Sequence, residues 1–384
     1  MFSEKEITRF KEIKTPFYYY NTEKLKSVLG RVKSASEKYG FIVHYAMKAN
    51  ANDKILGIMK DFGFGADCVS GNEVRKALNV GFGSEHIAFA GVGKSDEEIN
   101  LGIDNDIFSF NCESIQEIEV IDDLAAKKGK VARIALRINP NVKANTHHYI
   151  TTGLEENKFG INRWEFDKVL ELLKERKNVQ LVGIHFHIGS QITDFDAFKS
   201  LCVRVNEIQS YFIENQIIVE HINVGGGLGV DYEHPDNLDF PDFEAFFKLF
   251  DRFLELRPKQ KLHFELGRAM VAQCGDLITK VLFVKNGINA NFAIVDAGMT
   301  ELIRPALYQA YHKIENLTSK TGIDFYDVVG PICESSDTFG KTVQMTETKR
   351  GDLIAIRTTG AYGEVMASQY NLRNIAKAYY SDEI

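Results

Sequence analysis

Residues 41–50 read Phe-Ile-Val-His-Tyr-Ala-Met-Lys-Ala-Asn, so a short apolar run ends at Lys48 just before Asn50 breaks the pattern. Such runs are typical of buried strands. A lysine is almost never fully buried without a partner, so Lys48 either reaches solvent or meets a group that reacts with it. The second interpretation requires that another part of the chain brings that group to the lysine.

The composition is that of an ordinary globular protein, with 384 residues of which 44% are hydrophobic and 26% are charged. A formal net charge of -7 argues against nucleic acid or an anionic membrane as a partner. The 5 cysteines form no C-x-x-C pair, which predicts reduced thiols in the cytoplasm. The sequence has neither an apolar run of membrane-spanning length nor a signal-peptide pattern. We therefore expect a soluble cytoplasmic protein.

Eight apolar segments with strand character alternate with amphipathic helices up to the segment 261–266. Two helices begin with Ser-x-x-Glu, at Ser95–Glu98 and Ser114–Glu117, and this pattern predicts a capping box at each. A longer loop through 146–149 and 158–161 follows the fifth strand. The predicted strands are 41–48, 64–69, 86–90, 107–111, 131–138, 180–188, 217–224 and 261–266.

Eight strand–helix units over about 245 residues are the usual size of a (β/α)8 barrel. An open doubly wound sheet is the alternative, but its first βα turn should carry G-x-G-x-x-G, which is missing here. From about residue 270 the pattern changes to the runs 277–284, 292–295 and 353–356, separated by Gly and Asp turns. This change predicts a second, mostly β domain. The fold class is therefore α/β, a TIM barrel plus a C-terminal β-sandwich or β-barrel domain.

Polar residues share one face of several predicted strands, because side chains alternate between the two faces of a strand. The face turned toward the helices of a barrel must be apolar, so we expect the polar face to point inward, near the strand ends where barrel enzymes hold their sites. The alternative is a solvated sheet edge in a different fold. The residues of this face are His44, Ala46, Lys48, Arg133, Ala135, Arg137, Asn139, Gly183, His185, His187, Gly189, His221, Asn223, His263 and Glu265.

Three loops after the predicted strands add groups that can hold an anion. The run 225–227 is Gly-Gly-Gly, and glycines let backbone N–H groups approach an anion, although such clusters are often only tight turns. Ser190 follows the sixth strand and adds a hydroxyl, whereas Arg268 follows the eighth and adds a cation. The loops after strands seven and eight of a barrel are a frequent phosphate site.

A lysine beside a phosphate site is the combination that pyridoxal 5'-phosphate requires, because its aldehyde forms an imine and its phosphate needs an anchor. Glu265 is the candidate partner of the ring nitrogen, since a carboxylate keeps that nitrogen protonated and makes the ring a strong electron sink. His187 is a candidate to lie against the ring face. A zinc site at His185 and His187 is the weaker interpretation, because no carboxylate ligand lies near them in the sequence. We expect no metal.

Four motifs resemble the fold-type III pyridoxal-phosphate decarboxylases (group IV), whose barrel is related to that of alanine racemase. They are YAMKAN (45–50), GIHFHIGSQ (183–191), GGG (225–227) and ELGR (265–268). Motifs of the second domain narrow the resemblance to the diaminopimelate decarboxylase family: IRPALYQAYH (303–312), GPICESSD (330–337) and GAYGEVMAS (360–368).

The resemblance implies three sets of site residues. Lys48 would form the imine, His187 would stack on the cofactor and Cys333 would protonate the product carbon, and these three are the catalytic set. The cofactor set is Lys48, Asp67, His187, Ser190, Gly225, Gly226, Gly227, Glu265, Leu266, Gly267, Arg268 and Tyr362. The substrate set is Arg268, Arg304, Tyr308, Glu334 and Tyr362.

The function implied is decarboxylation of meso-2,6-diaminopimelate to L-lysine and CO2, the last step of lysine biosynthesis. The resemblance also implies a homodimer with shared active sites, in which Cys333 and Glu334 serve the neighbouring subunit. It places the barrel at 25–265 and the β domain at 1–24 and 266–384. Two positions depart from the family pattern: Leu266 stands where relatives have proline, and the proline expected after Arg373 is missing.

Two alternatives stay open at this point. One is a related decarboxylase of ornithine, arginine or carboxynorspermidine, whose substrates lack the distal amino-acid end or present it differently. Arg304 and Glu334 argue against it, because together they suit a carboxylate beside an ammonium group. The other is a barrel that binds pyridoxal phosphate without catalysis, in which the long β domain would have no role.

Overall fold

The computed structural model describes residues 2–142, 158–237 and 239–384. Residues 146–149 of the predicted long loop lie outside this part of the chain. The chain forms two compact units, one of residues 29–229 and 242–267 and the other of residues 1–28, 230–241 and 268–384. The segment 230–241, which the sequence analysis assigned to the barrel, therefore belongs to the second unit. Within the described ranges, no helix is long and apolar enough to cross a membrane.

Three elements precede the barrel strands. Helix α1 (Glu4–Glu12) begins at a capping box between Ser3 and Glu6. It is followed by strand β1 (Phe17–Tyr20) and helix α2 (Thr22–Glu37). All four residues of β1 are buried aromatics, so this strand belongs to a core although it lies close to the N-terminus.

The first unit is a closed barrel of eight parallel strands, which confirms the predicted TIM barrel. Its strands are β2 (Ile42–Ala46), β3 (Gly65–Cys68), β4 (Ile87–Phe89), β5 (Ser109–Cys112), β6 (Ala132–Arg137), β7 (Val179–His185), β8 (His221–Asn223) and β9 (Lys261–Leu266). The helices between them are α3 (Asp53–Asp61), α4 (Gly71–Val80), α5 (Asp96–Asp104), α6 (Ile115–Lys127), α7 (Phe166–Glu175), α8 (Phe195–Glu214) and α9 (Phe243–Phe253).

The barrel strands are shorter than the apolar pattern predicts. β2 ends at Ala46 rather than at Lys48, which lies in a 3-10 turn, and β7 ends at His185, so His187 lies in the loop that follows. The apolar residues Met47 and Phe186 beyond these ends are fully buried. Burial thus extends past the hydrogen-bonded strands, and apolar pattern alone places their ends too late.

One of the two predicted capping boxes forms completely. Ser95 Oγ accepts the Glu98 N–H, and the Glu98 carboxylate accepts the Ser95 N–H. Ser114 caps its helix in the same way, but the carboxylate of Glu117 accepts the N–H of Glu113 at 2.7 Å instead of that of Ser114. The other carboxylate oxygen of Glu117 pairs with Lys94 Nζ at 2.5 Å.

The barrel interior is polar, as the strand parity predicts. At the level where the strands begin, three histidine rings form a hydrogen-bonded chain. His221 Nδ1 lies 2.9 Å from His263 Nε2, and His263 Nδ1 lies 2.9 Å from His44 Nε2. The opposite parity packs on the helices, for example Phe264 against Phe246 with ring centroids 5.6 Å apart.

The second unit is built on an eight-stranded sheet, which confirms the predicted β domain. The sheet runs in the order β12-β15-β10-β11-β13-β14, and β1 joins it between β10 and β16. Phe10, Phe17, Tyr19, Ile278, Leu353 and Ala355 form a buried cluster in this unit. Its elements after the barrel are α10 (Arg268–Val271), β10 (Gly275–Asn286), β11 (Asn291–Val295), α11 (Arg304–Tyr308), β12 (Ile314–Asn316), β13 (Asp324–Val329), β14 (Thr338–Met345), β15 (Leu353–Ile356) and β16 (Lys377–Tyr380).

Candidate active site

Lys48 has a charged partner and also reaches solvent. Its Nζ lies 2.7 Å from Oδ2 of Asp67, and its side chain keeps 33% of its exposure while Asp67 has none. The register of β2 and β3 places Ala46 beside Asp67, so the turn after β2 carries the lysine onto this carboxylate. The apolar run therefore delivers a partly exposed lysine side chain to a buried carboxylate of the barrel.

The environment of Asp67 disfavours the ionised form of its carboxyl group. Burial and the negative charge of Glu265 raise the pKa of Asp67 to about 6, although Lys48 acts in the opposite direction. Asp67 Oδ1 is buried and accepts no hydrogen bond from the part of the protein that the structure describes. The Lys48–Asp67 pair thus holds an amine beside a weakly acidic carboxyl group.

Glu265 is a buried carboxylate held by three donors from three other strands. Its Oε1 accepts from Asn223 Nδ2 at 2.7 Å and from Asn111 Nδ2 at 3.2 Å, and its Oε2 lies 2.9 Å from His185 Nε2. Burial would raise the pKa of Glu265, but His185 and the positive charge of Lys48 outweigh burial and hold the pKa well below its usual value. Glu265 is therefore an anion at neutral pH.

No residue was predicted to hold Glu265 in place, which is what Asn111, Asn223 and His185 do. The sequence suggested His185 only as a possible zinc ligand. His185 and Asn223 were on the predicted inward face, so their strand parity was visible. Asn111 also faces inward, on β5. The predicted strand ended at this residue, and the faces of that strand were not assigned. In the sequence, an inward-facing amide shows only that the barrel interior is polar. Its role becomes visible only when the structure places it beside Glu265.

His187 lies in the loop after β7 as a neutral imidazole. Burial lowers the pKa of His187 well below its usual value, and the positive charges of Arg137 and Lys48 act in the same direction. The N–H of Gly226 lies 3.4 Å from His187 Nδ1, a long hydrogen bond that makes Nδ1 the acceptor. The neutral ring suits a contact with a flat aromatic partner.

The glycine run after β8 is required by the backbone of neighbouring strands. A Cβ at Gly226 would lie 2.0 Å from the carbonyl oxygen of Glu265, and one at Gly225 would lie 2.3 Å from that of Phe186. Gly225 also has φ +71°, a left-handed conformation that favours glycine. Its N–H donates to Asn223 Oδ1 at 2.9 Å. Close packing of strands thus accounts for these glycines, in addition to the predicted anion contact.

In the second unit, two predicted substrate-binding arginines are joined by a residue that the sequence analysis missed. Arg268 Nη1 donates to the Tyr232 hydroxyl at 2.5 Å, and Arg304 Nη1 donates to the same oxygen at 3.0 Å. Arg268 also lies over the ring of Tyr362, 4.8 Å from its centroid. Both guanidinium groups are buried. Nothing in the sequence near Tyr232 distinguishes it, because its partners are far away along the chain.

The other predicted residues of this unit lie in two places. Tyr308 ends the short helix α11 that Arg304 begins. Cys333 and Glu334 lie on an exposed turn after β13. The carboxylate of Glu334 accepts from the Tyr370 hydroxyl at 2.7 Å and from the Ser336 hydroxyl at 3.2 Å. The carboxylate is thus oriented within its own unit while staying accessible.

Leu266 is the last residue of β9, and Gly267 follows it. Leu266 is buried and pairs in register with Tyr45. A leucine can therefore stand in this position within the sheet, where the family pattern has proline. A Cβ at Gly267 would lie 3.0 Å from the Cβ of Ala49, so glycine allows the turn after β2 to pack closely.

The barrel residues fit pyridoxal 5'-phosphate. An ionised carboxylate offers about four acceptor positions, and three of those of Glu265 are occupied by Asn111, Asn223 and His185. One is left for a protonated ring nitrogen. Lys48 presents an accessible amine, and Ser190 offers a hydroxyl on the loop after β7. For a metal ion, in contrast, the described ranges contain no group of three or more His, Cys, Asp or Glu side chains that could hold one.

Comparison with known proteins gives the family. Residues 25–272 match the pyridoxal binding domain of the pyridoxal-dependent decarboxylases. A diaminopimelate decarboxylase of Bacteroides thetaiotaomicron is 58% identical over 379 residues, 98% of each chain. The crystal structure of diaminopimelate decarboxylase from Helicobacter pylori complexed with L-lysine is 40% identical, with a TM-score of 0.91 over 97% of this chain and 94% of that chain.

A lysine decarboxylase from Selenomonas ruminantium shares the fold, with a TM-score of 0.86 at 24% identity over 100% of this chain and 97% of that one. At that identity the likeness concerns the fold alone. The chain belongs to the pyridoxal-dependent decarboxylases. Within them it falls in the diaminopimelate decarboxylase family, as the two preceding relatives and the motifs of both units agree.

Proposed function

We propose that this chain catalyses the decarboxylation of meso-2,6-diaminopimelate to L-lysine and CO2 with pyridoxal 5'-phosphate, the last step of lysine biosynthesis. The observation that carries the proposal is Glu265, a buried anion with an acceptor position left in the same barrel as Lys48. A carboxylate at the ring nitrogen favours decarboxylation over racemisation, because it keeps the ring positively charged.

When bound, the cofactor supplies the electron sink for the pair left behind when CO2 departs. Lys48 would hold its aldehyde, and Asp67 would keep the amine in place and receive or return its proton. Glu265 would hold the ring through its nitrogen, and His187 would contact the ring face. Ser190 and the glycine loop 225–227 would hold the phosphate.

The residues of the second unit would bind the end of the substrate that does not react. Arg268 and Arg304 provide charge-assisted donors to its carboxylate, and Glu334 provides an acceptor for its ammonium group. Tyr308 and Tyr362 are proposed to complete this subsite. The bond between the reacting carbon and its carboxyl group breaks, the electron pair stays with the carbon, and the Cys333 thiol supplies the proton that this carbon takes up.

We also propose a homodimer with shared active sites, in which Cys333 and Glu334 serve the neighbouring subunit. Their exposed turn supports this, since a thiol and a carboxylate that act in catalysis need a water-excluding partner surface. A cytoplasmic location is proposed because all five cysteines are free thiols and four of them are buried.

Carbon dioxide release from meso-diaminopimelate, ornithine and arginine, measured on the purified protein loaded with pyridoxal phosphate, tests the proposed function. We expect turnover of meso-diaminopimelate and at most trace release from the other two, because the arginines of the second unit would be left without a carboxylate. Faster turnover of ornithine or arginine would show a related decarboxylase. A spectral response without CO2 release would show a barrel that only binds the cofactor.

A further inference from the structure

Tyr232 occupies an unusual position between two positive charges. Its hydroxyl oxygen accepts one hydrogen bond from Arg268 Nη1 at 2.5 Å and one from Arg304 Nη1 at 3.0 Å. The Arg304 guanidinium also lies over the Tyr232 ring, 5.0 Å from its centroid. One phenol thus contacts Arg304 with both its oxygen and its ring face.

Arg304 is held from its other side by His312. His312 Nδ1 lies 2.9 Å from the carbonyl oxygen of Arg357, and a carbonyl can only accept, so Nδ1 carries the proton. His312 Nε2 is therefore an acceptor, and it lies 2.9 Å from Arg304 Nη1. Burial and the Arg304 charge lower the pKa of His312 to about 3, so the ring stays neutral. Both protons of Arg304 Nη1 are then used, by Tyr232 and by His312.

The two arginine contacts use the lone pairs of the Tyr232 hydroxyl oxygen and not its O–H donor. A phenol offers two lone pairs and one O–H donor, and the two arginines take up the lone pairs. Within the described residues the Tyr232 hydroxyl donates to no acceptor. Burial alone would raise the pKa of Tyr232, but the positive charges of Arg268 and Arg304 and their hydrogen bonds outweigh it and lower the pKa. The O–H is thus polarised and oriented away from both guanidinium groups.

We propose that Tyr232 is a specificity-determining residue: it holds Arg268 and Arg304 side by side for a substrate carboxylate and donates its own hydroxyl proton to that carboxylate. This inference rests on the proposed function, in which the two arginines bind the carboxylate of the non-reacting end. A carboxylate is the ligand that fits, because it is an acceptor for three converging donors and neutralises two buried positive charges.

The variant Tyr232→Phe tests the proposal, since it keeps the ring under Arg304 and removes only the hydroxyl. We expect the KM for meso-diaminopimelate to rise by about tenfold or more and kcat to change less than threefold, because a hydrogen bond to a charged group contributes more to binding than a neutral one. The matched control is Tyr211→Phe, which removes a phenol hydroxyl that donates to Asp167 on the outer helices of the barrel. Its KM should stay at the wild-type value.

A second readout uses two inhibitors and does not depend on turnover by the variant alone. L-Lysine carries the carboxylate of the non-reacting end, whereas 1,5-diaminopentane is the same molecule without it. Calorimetric titration of Tyr232→Phe should show about tenfold weaker binding of L-lysine and unchanged binding of 1,5-diaminopentane. Equal weakening of both ligands would mean that Tyr232 is only structural and would overturn the proposal.

Failure of the proposed function and failure of the Tyr232 role give different results. If the wild-type protein releases no CO2 from meso-diaminopimelate, the proposed function is wrong. If the wild-type protein is active and Tyr232→Phe has wild-type KM and wild-type L-lysine affinity, only the role of Tyr232 is wrong. Circular dichroism and the visible absorbance of the bound cofactor establish that the variant is folded and loaded.

Discussion

His185 Nε2 lies 2.9 Å from Oε2 of Glu265, and the side chains of the two residues are 1% and 4% exposed. A carboxylate that is buried this far stays ionised only where donors surround it, and Asn111 and Asn223 complete the set. The arrangement keeps a fixed negative charge inside the barrel. The charge of Glu265, rather than its size, is therefore the property that the fold protects.

Replacing Glu265 with Gln should lower kcat by about a hundredfold or more, the usual range for loss of a preorganised electrostatic partner. The amide has nearly the same shape but cannot hold a proton on a pyridine nitrogen. Steady-state kinetics measure the loss, and the visible absorbance should show that cofactor remains bound. The exposed Glu171→Gln on α7 is the control and should keep full activity. A wild-type kcat in Glu265→Gln would show that catalysis does not require the negative charge of Glu265.

Lys48→Ala should abolish covalent attachment of the cofactor. Borohydride reduction of the wild-type protein followed by peptide mass spectrometry should find the pyridoxyl label on Lys48, because its amine is accessible and held by Asp67. The label should be missing from Lys48→Ala and present in Lys60→Ala, which removes a lysine paired with Asp61 on α3. A label on any other lysine of the wild-type protein would show that a different amine forms the imine.

The barrel and the inward-facing residues of its strands could be predicted from the sequence. Both follow from the spacing of apolar residues in strands and helices, which is visible within a short stretch of chain. The ends of β2 and β7 were wrong because Met47 and Phe186 are buried beyond the hydrogen-bonded strands. Tyr232 could not be found, since its partners Arg268 and Arg304 are 36 and 72 residues away along the chain. A local sequence pattern identifies the residues that face the barrel interior. It does not show which of these side chains contact each other.

Gly226→Ala should destabilise the protein by about 1–3 kcal/mol, the range for overpacking. The added Cβ would lie 2.0 Å from the carbonyl oxygen of Glu265, and backbone cannot move aside as a flexible side chain can. Urea denaturation measures the change. Gly57 in α3 is the matched control, because a Cβ there meets nothing within 4 Å. Gly57→Ala should stabilise the protein by about 0.5–1 kcal/mol, since alanine is the better helix former.

An unchanged urea midpoint for Gly226→Ala would show that the backbone at Glu265 can move away from the added methyl group. A destabilised Gly57→Ala would instead show that α3 does not tolerate a methyl group on that face. The two glycine variants therefore separate close approach of strands from the general effect of losing a glycine.

The histidine chain inside the barrel has one defined proton arrangement. His44 Nδ1 lies 3.1 Å from the carbonyl oxygen of His86, so it carries a proton and its Nε2 accepts. His263 must then donate through Nδ1 to His44 and accept through Nε2 from His221. Only Nε2 of His221, at the end of the chain, remains to take up a proton, so acidification should act first there.

The stability of the protein should fall as the pH drops from 7 to 5. Burial and the charge of Arg133 lower the pKa of His221 from 6.5 to about 4, so the unfolded chain binds the proton more tightly than the folded one. Stability from this group is complete above pH 6.5 and is lost as the pH falls toward 4. At pH 5 the loss is about 2 kcal/mol.

Urea denaturation of the wild-type protein and of His221→Gln at pH 7 and pH 5 measures this loss. The variant should lose less stability on acidification, because glutamine keeps a donor for His263 but does not titrate. The control is His234→Gln, which removes a ring that is 71% exposed on a loop and leaves the histidine chain of the barrel intact. Parallel pH profiles for the wild-type protein and His221→Gln would mean that another group causes acid unfolding.

Mixing two inactive variants should restore activity if the proposed homodimer shares its active sites. Lys48→Ala lacks the imine-forming amine, and Cys333→Ala lacks the proton donor on its exposed turn. When equal amounts are dissociated and reassembled, half of the dimers combine one subunit of each kind, and one of their two sites has both residues. About a quarter of the wild-type activity should return, as expected for an interface in which each subunit completes the other. No recovery, in a mixture whose subunit exchange is verified by mass spectrometry, would place Lys48 and Cys333 in the same subunit's site.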